Sequence, residues 1–246
     1  MLVPPEAAED ARARMLELFP EGFEESETKE AVRLAAYTDA GGELRARDVF
    51  SAVESVPVDP GWADRWREFH RPVRAGPFWV GPPWERGPDE ALAIVIEPGR
   101  AFGTGAHATT RLCLELLAEL PRGSALDVGC GSGVLAIAAA KLRFAPVFAV
   151  DSDPAAVEAA RANAERNAVA VEVRRSDVLA EPLPEADVAL ANLTLPDVQA
   201  VSARLMSRWL VASGYLASDE PSLAAFERRR RRTAEGWAAD AFERAT

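Results

Sequence analysis

The residues with the clearest chemical potential run Asp127-Val128-Gly129-Cys130-Gly131-Ser132-Gly133. Three alternating glycines join Ser124 to Val128, which reads as a short buried strand, to Val134 to Leu142, which reads as a helix. Backbone without side chains lets N–H groups approach a ligand closely, and a helix N-terminus favours negative charge. The spacing is not that of a dinucleotide loop, because the third glycine comes one residue early and Val134 stands where that pattern wants glycine. Asp151 follows Gly129 by 22 residues, at the end of a second apolar stretch, Pro146 to Val150. There its carboxylate can accept from both hydroxyls of a ribose. Asp153 precedes Pro154 and is expected to cap the next helix, Pro154 to Asn167. Asp177 follows a third strand, Val169 to Val173, either to accept from an adenine amino group or as a solvated loop residue. Asn192 follows a fourth, Asp187 to Ala191, where its amide carbonyl can accept from an amine and aim the lone pair.

These positions need a scaffold. Strand and helix patterns alternate from about residue 109, which implies an α/β fold with a parallel sheet covered by helices on both faces. Thr109 is expected to cap a helix through Leu120, with Leu112, Leu116, Leu117 and Leu120 on one face. Five consecutive arginines, Arg228 to Arg232, suit a strand better than a helix, on which some would face the core. With Trp237 to Arg244 and a turn at Glu235-Gly236 they predict an antiparallel C-terminal hairpin whose charged edge discourages strand-to-strand aggregation. The competing reading is a patch for ribosomal RNA. Upstream, residues 1–58 read as a small α+β domain. In it Ala7 to Phe19 is helical, Glu30 to Thr38 is a strand ended by a hairpin-like turn at Asp39-Ala40-Gly41-Gly42, and Glu43 to Val56 is ambiguous. Asp59-Pro60-Gly61 breaks the chain, residues 59–71 read as a linker helix, and 72–246 as the main domain.

Composition narrows the class. The 246 residues are 48% hydrophobic and 27% charged, a balance that supports a buried core without disulfide staples. The two cysteines, Cys113 and Cys130, build no disulfide framework, and His70 and His107 alone build no zinc site. The net charge of −11 disfavours a general nucleic-acid binder and would suit a basic partner. Neither a signal peptide nor an apolar run of membrane-spanning length is apparent, so a soluble, cytoplasmic protein is expected.

The glycine loop, with an acid two residues before it, resembles the first motif of class I S-adenosylmethionine-dependent methyltransferases. A second signature precedes it: Glu97-Pro98-Gly99-Arg100-Ala101-Phe102-Gly103-Thr104-Gly105-Ala106-His107-Ala108-Thr109-Thr110. Together with Trp66-Arg67-Glu68-Phe69, the Gly76 to Glu85 segment and Ala191-Asn192-Leu193, it resembles the ribosomal protein L-eleven methyltransferase family, PrmA, over about Phe19 to Leu193. The resemblance implies a ferredoxin-like N-terminal domain that recognises the ribosomal protein, a linker helix and a Rossmann-like class I methyltransferase domain. It also implies S-adenosylmethionine as cofactor and methylation of lysine side chains and the N-terminal amine. The family's cofactor contacts fall on Thr110, Gly129, Asp151 and Asn192. The chain departs from the family at Ala217-Ser218-Asp219-Glu220-Pro221, after which a short helix is expected.

Gly103 and Gly105 give the backbone freedom around Thr104, so that Phe102 can cover an apolar ring or methyl group. The site expected from these readings comprises Phe102, Thr110, Gly129, Gly131, Asp151, Asp177 and Asn192, with Asn192 aligning the amine. His107 either acts as a base or orients its loop, and Trp79 and Trp84 either line the pocket or fill the core. Asn192-Leu193-Thr194-Leu195 lacks the prolines and aromatic of the tetrad with which nucleic-acid amino-methyltransferases stack a flipped base. A methyltransferase for a small-molecule amine and a cofactor-binding module without activity remain the alternatives.

Overall fold

The computed structural model describes residues 2–4, 7–8, 11, 14–15, 18–19, 24–27, 31–36, 38–50, 52–56, 71–98 and 105–245. The chain divides into two units, Met1–Trp62 and Ala63–Thr246, each of which is described by itself. The expected linker helix up to His70, and Phe102 with its flanking residues 99–104, lie outside the described residues.

In the first unit, strands β1 (Leu2–Val3), β2 (Glu24–Glu27) and β3 (Val32–Ala35) form an antiparallel sheet in the order β1-β3-β2. Period-two alternation buries Val32 and Leu34 and exposes Arg33. Ala8, Ala11, Met15 and Phe19, at three- and four-residue spacing, pack into the same cluster, and residues 8, 11 and 15 are helical. Helix α1 (Ala40–Val49) corrects the expected hairpin-like turn and resolves the ambiguous segment. Asp39 is its N-cap, with Oδ1 accepting from the Gly42 N–H at 2.8 Å. Glycine is needed in that first turn, since a Cβ on Gly42 would stand 1.7 Å from Thr38 Oγ1.

The second unit opens with β4 (Val73–Ala75), β5 (Phe78–Gly81) and β6 (Leu92–Val95), in that spatial order, with β4 and β5 antiparallel and β5 and β6 parallel. Trp79 is buried here, and its ring fills the space left by Gly81 and Gly87. Helix α2 (Ala108–Glu119) buries Leu112, Leu116 and Leu117. Its N-cap is His107 rather than Thr109: the His107 Nδ1 lies 2.8 Å from Thr109 Oγ1 and 3.4 Å from the Thr109 nitrogen. Thr109 sits two residues too far along to cap and is itself buried.

The strand–helix alternation then runs β7 (Ala125–Val128), α3 (Val134–Lys141), β8 (Val147–Asp151), α4 (Pro154–Arg166), β9 (Glu172–Arg175), β10 (Val188–Asn192), α5 (Leu195–Ser202), β11 (Trp209–Leu216), β12 (Phe226–Ala234) and β13 (Trp237–Arg244). The sheet order is β12-β13-β11-β10-β7-β8-β9, and β13 runs against the other six strands. β7 is buried at every position and β10 at its first four, as strands covered on both faces must be. Asp153 caps α4 through the Ala155 N–H at 2.9 Å. β9 begins later than Val169, because Ala168 takes a left-handed φ of 52° to leave the helix, and Val169 and Val171 pack beside the core as connection. No helix lies between β11 and β12, contrary to the expectation for the chain after Pro221. Asp219 Oδ2 instead accepts from the Leu216 N–H at 2.8 Å in a turn, and Leu223 and Phe226 plug the core.

β12 is the arginine strand and stands at the sheet edge. Carboxylates of the same chain meet all five guanidiniums. Arg230 and Arg232 pair with Glu115 and Glu119 of α2, Arg228 and Arg231 with Glu220 and towards the buried Asp240, and Arg229 with Glu227 and Glu243.

Two buried asparagines, Asn163 of α4 and its C-cap Asn167, close the outer edge of β6. The Asn167 amide donates to the Val95 carbonyl at 2.7 Å and accepts from the Val95 N–H at 2.9 Å, as a neighbouring strand would. One turn earlier, Asn163 accepts from the Glu97 N–H at 3.1 Å and donates to the Ser132 carbonyl of the glycine loop at 3.0 Å.

Candidate active site

From β7 the chain proceeds to β8 on one side and later returns to β10 on the other, so a crevice opens where the strand order reverses, at the carboxyl ends of these strands. A cleft of about 340 Å³ occupies it. Six of the seven residues expected from the sequence line this cleft: Thr110, Gly129, Gly131, Asp151, Asp177 and Asn192. The seventh, Phe102, is outside the described residues. Trp79, Trp84 and His107 do not line the cleft. His107 instead meets the Trp237 ring edge-on, with centroids 4.9 Å apart, and caps α2 just ahead of Thr110.

The glycine loop is bent tightly over β8: the Gly129 and Cys130 N–H groups both donate to the Val150 carbonyl, at 2.8 and 3.0 Å. Gly129 has φ 68°, and a Cβ there would stand 2.5 Å from Leu193 Cδ2, so both the backbone angle and the packing exclude a side chain. Gly133, with φ 79°, is the N-cap of α3. Two backbone donors orient Asp151: the Gly131 N–H reaches Oδ2 at 2.9 Å and the Asp153 N–H reaches Oδ1 at 3.0 Å. Each carboxylate oxygen keeps a second lone pair for a ligand hydroxyl. Asp177 is held in its turn by the Leu179 N–H at 2.9 Å. Asn192 Nδ2 donates to Thr110 Oγ1 at 3.3 Å, which joins the tip of β10 to the first turn of α2.

Asp127 lies under the loop, 1% exposed, with Oδ2 accepting from the Ala136 N–H at 3.0 Å. Burial pushes its carboxyl up to about 7; the Ala136 N–H pulls it down, and neighbouring Asp151 adds to the rise. In the sequence this acid served only to mark the motif's spacing. Burial also raises the Cys130 thiol, aided by the charges of Asp127 and Asp151, which keeps it from acting as a nucleophile.

Leu193 and Asp197 also line the cleft and were not anticipated. Leu193 follows a strand tip, a place the strand-end rule would have flagged. Asp197 stands three residues after Thr194, a capping-box spacing that advertises a helix start. Among the described lining residues four are aspartates, and none is a lysine, arginine or histidine.

Sheet order, the single reversed strand and the cleft at the switch point define a class I methyltransferase-like α/β fold. More narrowly, the chain belongs to the family described as Ribosomal protein L11 methyltransferase (PrmA), whose family model matches residues 6–238. It is 39% identical over 207 residues to a protein named ribosomal protein L11 methyltransferase from Paraburkholderia xenovorans, covering 80% of this chain and 67% of that protein. A protein of the same name from Symbiobacterium thermophilum is 44% identical over 162 residues, covering 64% of this chain and 53% of its own length. The chain therefore spans little more than half the length of some curated relatives. Among solved structures, a ribosomal protein L11 methylase from Lactobacillus delbrueckii subsp. bulgaricus matches with a TM-score of 0.63 and 26% identity, covering 72% of this chain and all of that one.

Proposed function

We propose that the chain transfers methyl groups from S-adenosylmethionine to amines of ribosomal protein L11, namely lysine side chains and the N-terminal amine. The observation that carries this reading is the placement of Asn192 at the tip of β10, in the same cleft as Asp151 and within 3.3 Å of Thr110. Asp151 would hold the ribose hydroxyls, Asp177 the adenine amino group, and the side-chain-free backbone of Gly129 and Gly131 would admit the ligand closely. The bound cofactor supplies a methyl group made electrophilic by the adjacent sulfonium.

The protein's own work is alignment and desolvation. An ammonium has no lone pair, so the amine must lose a proton before it attacks. A dry cleft favours the neutral form. Asn192, tethered by Thr110, presents its amide carbonyl to an amine hydrogen and so points the lone pair along the line of displacement. It holds the amine and does not act as a base.

In this reading residues 1–58 recognise the protein substrate, residues 59–71 link, and residues 72–246 carry the chemistry in the cytoplasm. The order strand–helix–strand–strand–helix, with sheet order β1-β3-β2, supports a ferredoxin-like first unit. No described helix is long and apolar enough to cross a membrane. The test is incubation with the cofactor and purified L11, read by intact mass and peptide mapping. Whole methyl increments on amines are expected. No increment on L11, with methyl transfer to a small amine in its place, would overturn the assignment of substrate.

A further inference from the structure

We propose that Asp197 is the group that captures the substrate's ammonium, and so selects cationic amines over uncharged nucleophiles. The inference rests on the methyl-transfer reading above and deepens it.

The nucleophile must enter beside Asn192, and the wall of the cleft there is the connection from β10, which contributes Leu193, and the first turn of α5, which contributes Asp197. The other three lining aspartates are tied to backbone donors at the strand tips. Asp127 takes the Ala136 N–H, Asp151 those of Gly131 and Asp153, and Asp177 that of Leu179. Among the described residues Asp197 accepts from one group only, the Thr194 hydroxyl, at 2.6 Å on Oδ2.

That contact is informative. Thr194 is the N-cap of α5 and Asp197 its third residue, the arrangement of a capping box. A capping box would have the Thr194 hydroxyl accept from a backbone N–H of the first turn, yet it makes no such bond. The hydroxyl is donated to Asp197 instead, so the helix forgoes the stabilisation a capping threonine ordinarily gives and the carboxylate is oriented in return. Among the described residues no basic side chain lines the cleft, so none of them competes for that carboxylate. A lysine ammonium or a protonated N-terminus would pair with Oδ1 on entry; it then gives its proton to solvent water, and the neutral amine passes from the carboxylate to Asn192. A hydroxyl or an amide would gain far less from the same contact.

A half-buried carboxylate that captures a cation acts on encounter and on binding, and it is weakened by salt. The full chain, Asp197→Asn and Asp197→Glu are therefore compared for methylation of L11 at low and at physiological ionic strength. Cofactor affinity is measured calorimetrically and folding by thermal melt. Asp197→Asn is expected to raise KM for L11 about tenfold, to change kcat less than threefold, and to flatten the rise of KM with salt. Asp197→Glu should recover much of the loss, and cofactor affinity should stay within twofold throughout. Unchanged KM and salt dependence in a folded Asp197→Asn variant would overturn the proposal, as would a tenfold loss of cofactor affinity.

A second arm does not depend on turnover. The protein loaded with S-adenosylhomocysteine is titrated with a lysine-bearing peptide and with its Nε-acetylated form. Preference for the free amine that disappears in Asp197→Asn supports the capture role even if L11 is not methylated, in which case the methyl-transfer reading alone fails. Equal binding of the two peptides by the unaltered protein overturns the capture role.

Discussion

Asp127→Asn isolates what it costs to keep a carboxyl group under the glycine loop. The side chain is 1% exposed, and its pKa stands at about 7 against an ordinary 3.8. The folded state therefore keeps its proton to higher pH than the unfolded chain. Between roughly pH 4 and 7 the native state binds more protons, so this group's stabilisation is complete below the ordinary value and is lost as the pH rises through the folded one. At about 1.4 kcal/mol per unit, the shift sets an upper bound of roughly 4 kcal/mol on the penalty at pH 8. Asparagine is nearly isosteric, cannot ionise and can still accept from the Ala136 N–H. Its added amide donors need an acceptor, and leaving one unmet costs about 1–3 kcal/mol. The expected net gain is about 1–3 kcal/mol at pH 8 without cofactor, or roughly 3–10 °C in Tm for a domain of this size. The gain should shrink to near zero by pH 5, where the penalty has fallen to roughly 1.7 kcal/mol and no longer exceeds the cost of the amide donors. Thermal melts of the ligand-free proteins by circular dichroism between pH 5 and 8.5 provide the assay, with the difference in Tm as the readout. A difference that does not change over that range would refute the reasoning, because it would mean that Asp127 carries the same charge throughout.

Asp151→Ala should weaken cofactor binding by roughly 1.5–3 kcal/mol, the worth of hydrogen bonds to a charged acceptor, and should leave the protein folded. Calorimetric titration measures it, and unchanged affinity would remove the ribose assignment. Asn192→Ala should lower the single-turnover rate at saturating cofactor on the order of a hundredfold, through lost alignment, with little change in melting temperature. A near-normal rate would reduce Asn192 to a strand-end residue that holds Thr110. Asn163→Ala and Asn167→Ala should both destabilise by about 1–3 kcal/mol, since each leaves buried backbone groups unpaired. Only the first should also weaken cofactor binding, because only Asn163 reaches the glycine loop. Equal affinity losses in the two variants would show that the loop does not depend on that contact.

What the sequence made legible was local. The glycine loop, Asp151, Asp177 and Asn192 stand at strand ends, where the chain's own order dictates position, and the structure gathers them round one cleft. Caps were harder to read. Thr109 has the better residue type, but His107 has the right place, two positions ahead of the N–H it faces. Asp39 to Gly42 carries every mark of a turn, yet a helix follows because Asp39 finds the Gly42 N–H within reach. Asn163 and Asn167 look like ordinary polar residues on an exposed helix. Their partners lie 66 and 72 positions away in sequence, so no local pattern could reveal them. The helix expected after Pro221 failed for a related reason: Leu223 and Phe226 are drawn into the core before a helical turn can form.

The arginine edge of β12 has a consequence for how the protein behaves in acid. Its guanidiniums remain charged at any pH the fold would survive, whereas the glutamates that match them do not. Arg228 and Arg208 hold the carboxyls of Glu220 and Glu243, respectively, below the usual range, so matching persists somewhat further into acid than for free glutamates. Once those carboxyls take up protons, the strand is left with five unmatched positive charges, of which Arg231 alone is largely covered. Two copies brought edge to edge would then repel each other. The unpaired rim of the sheet is thus guarded most strongly under the conditions in which the rest of the molecule is losing its ion pairs, and acid-stressed chains should stay apart along this edge rather than zip together.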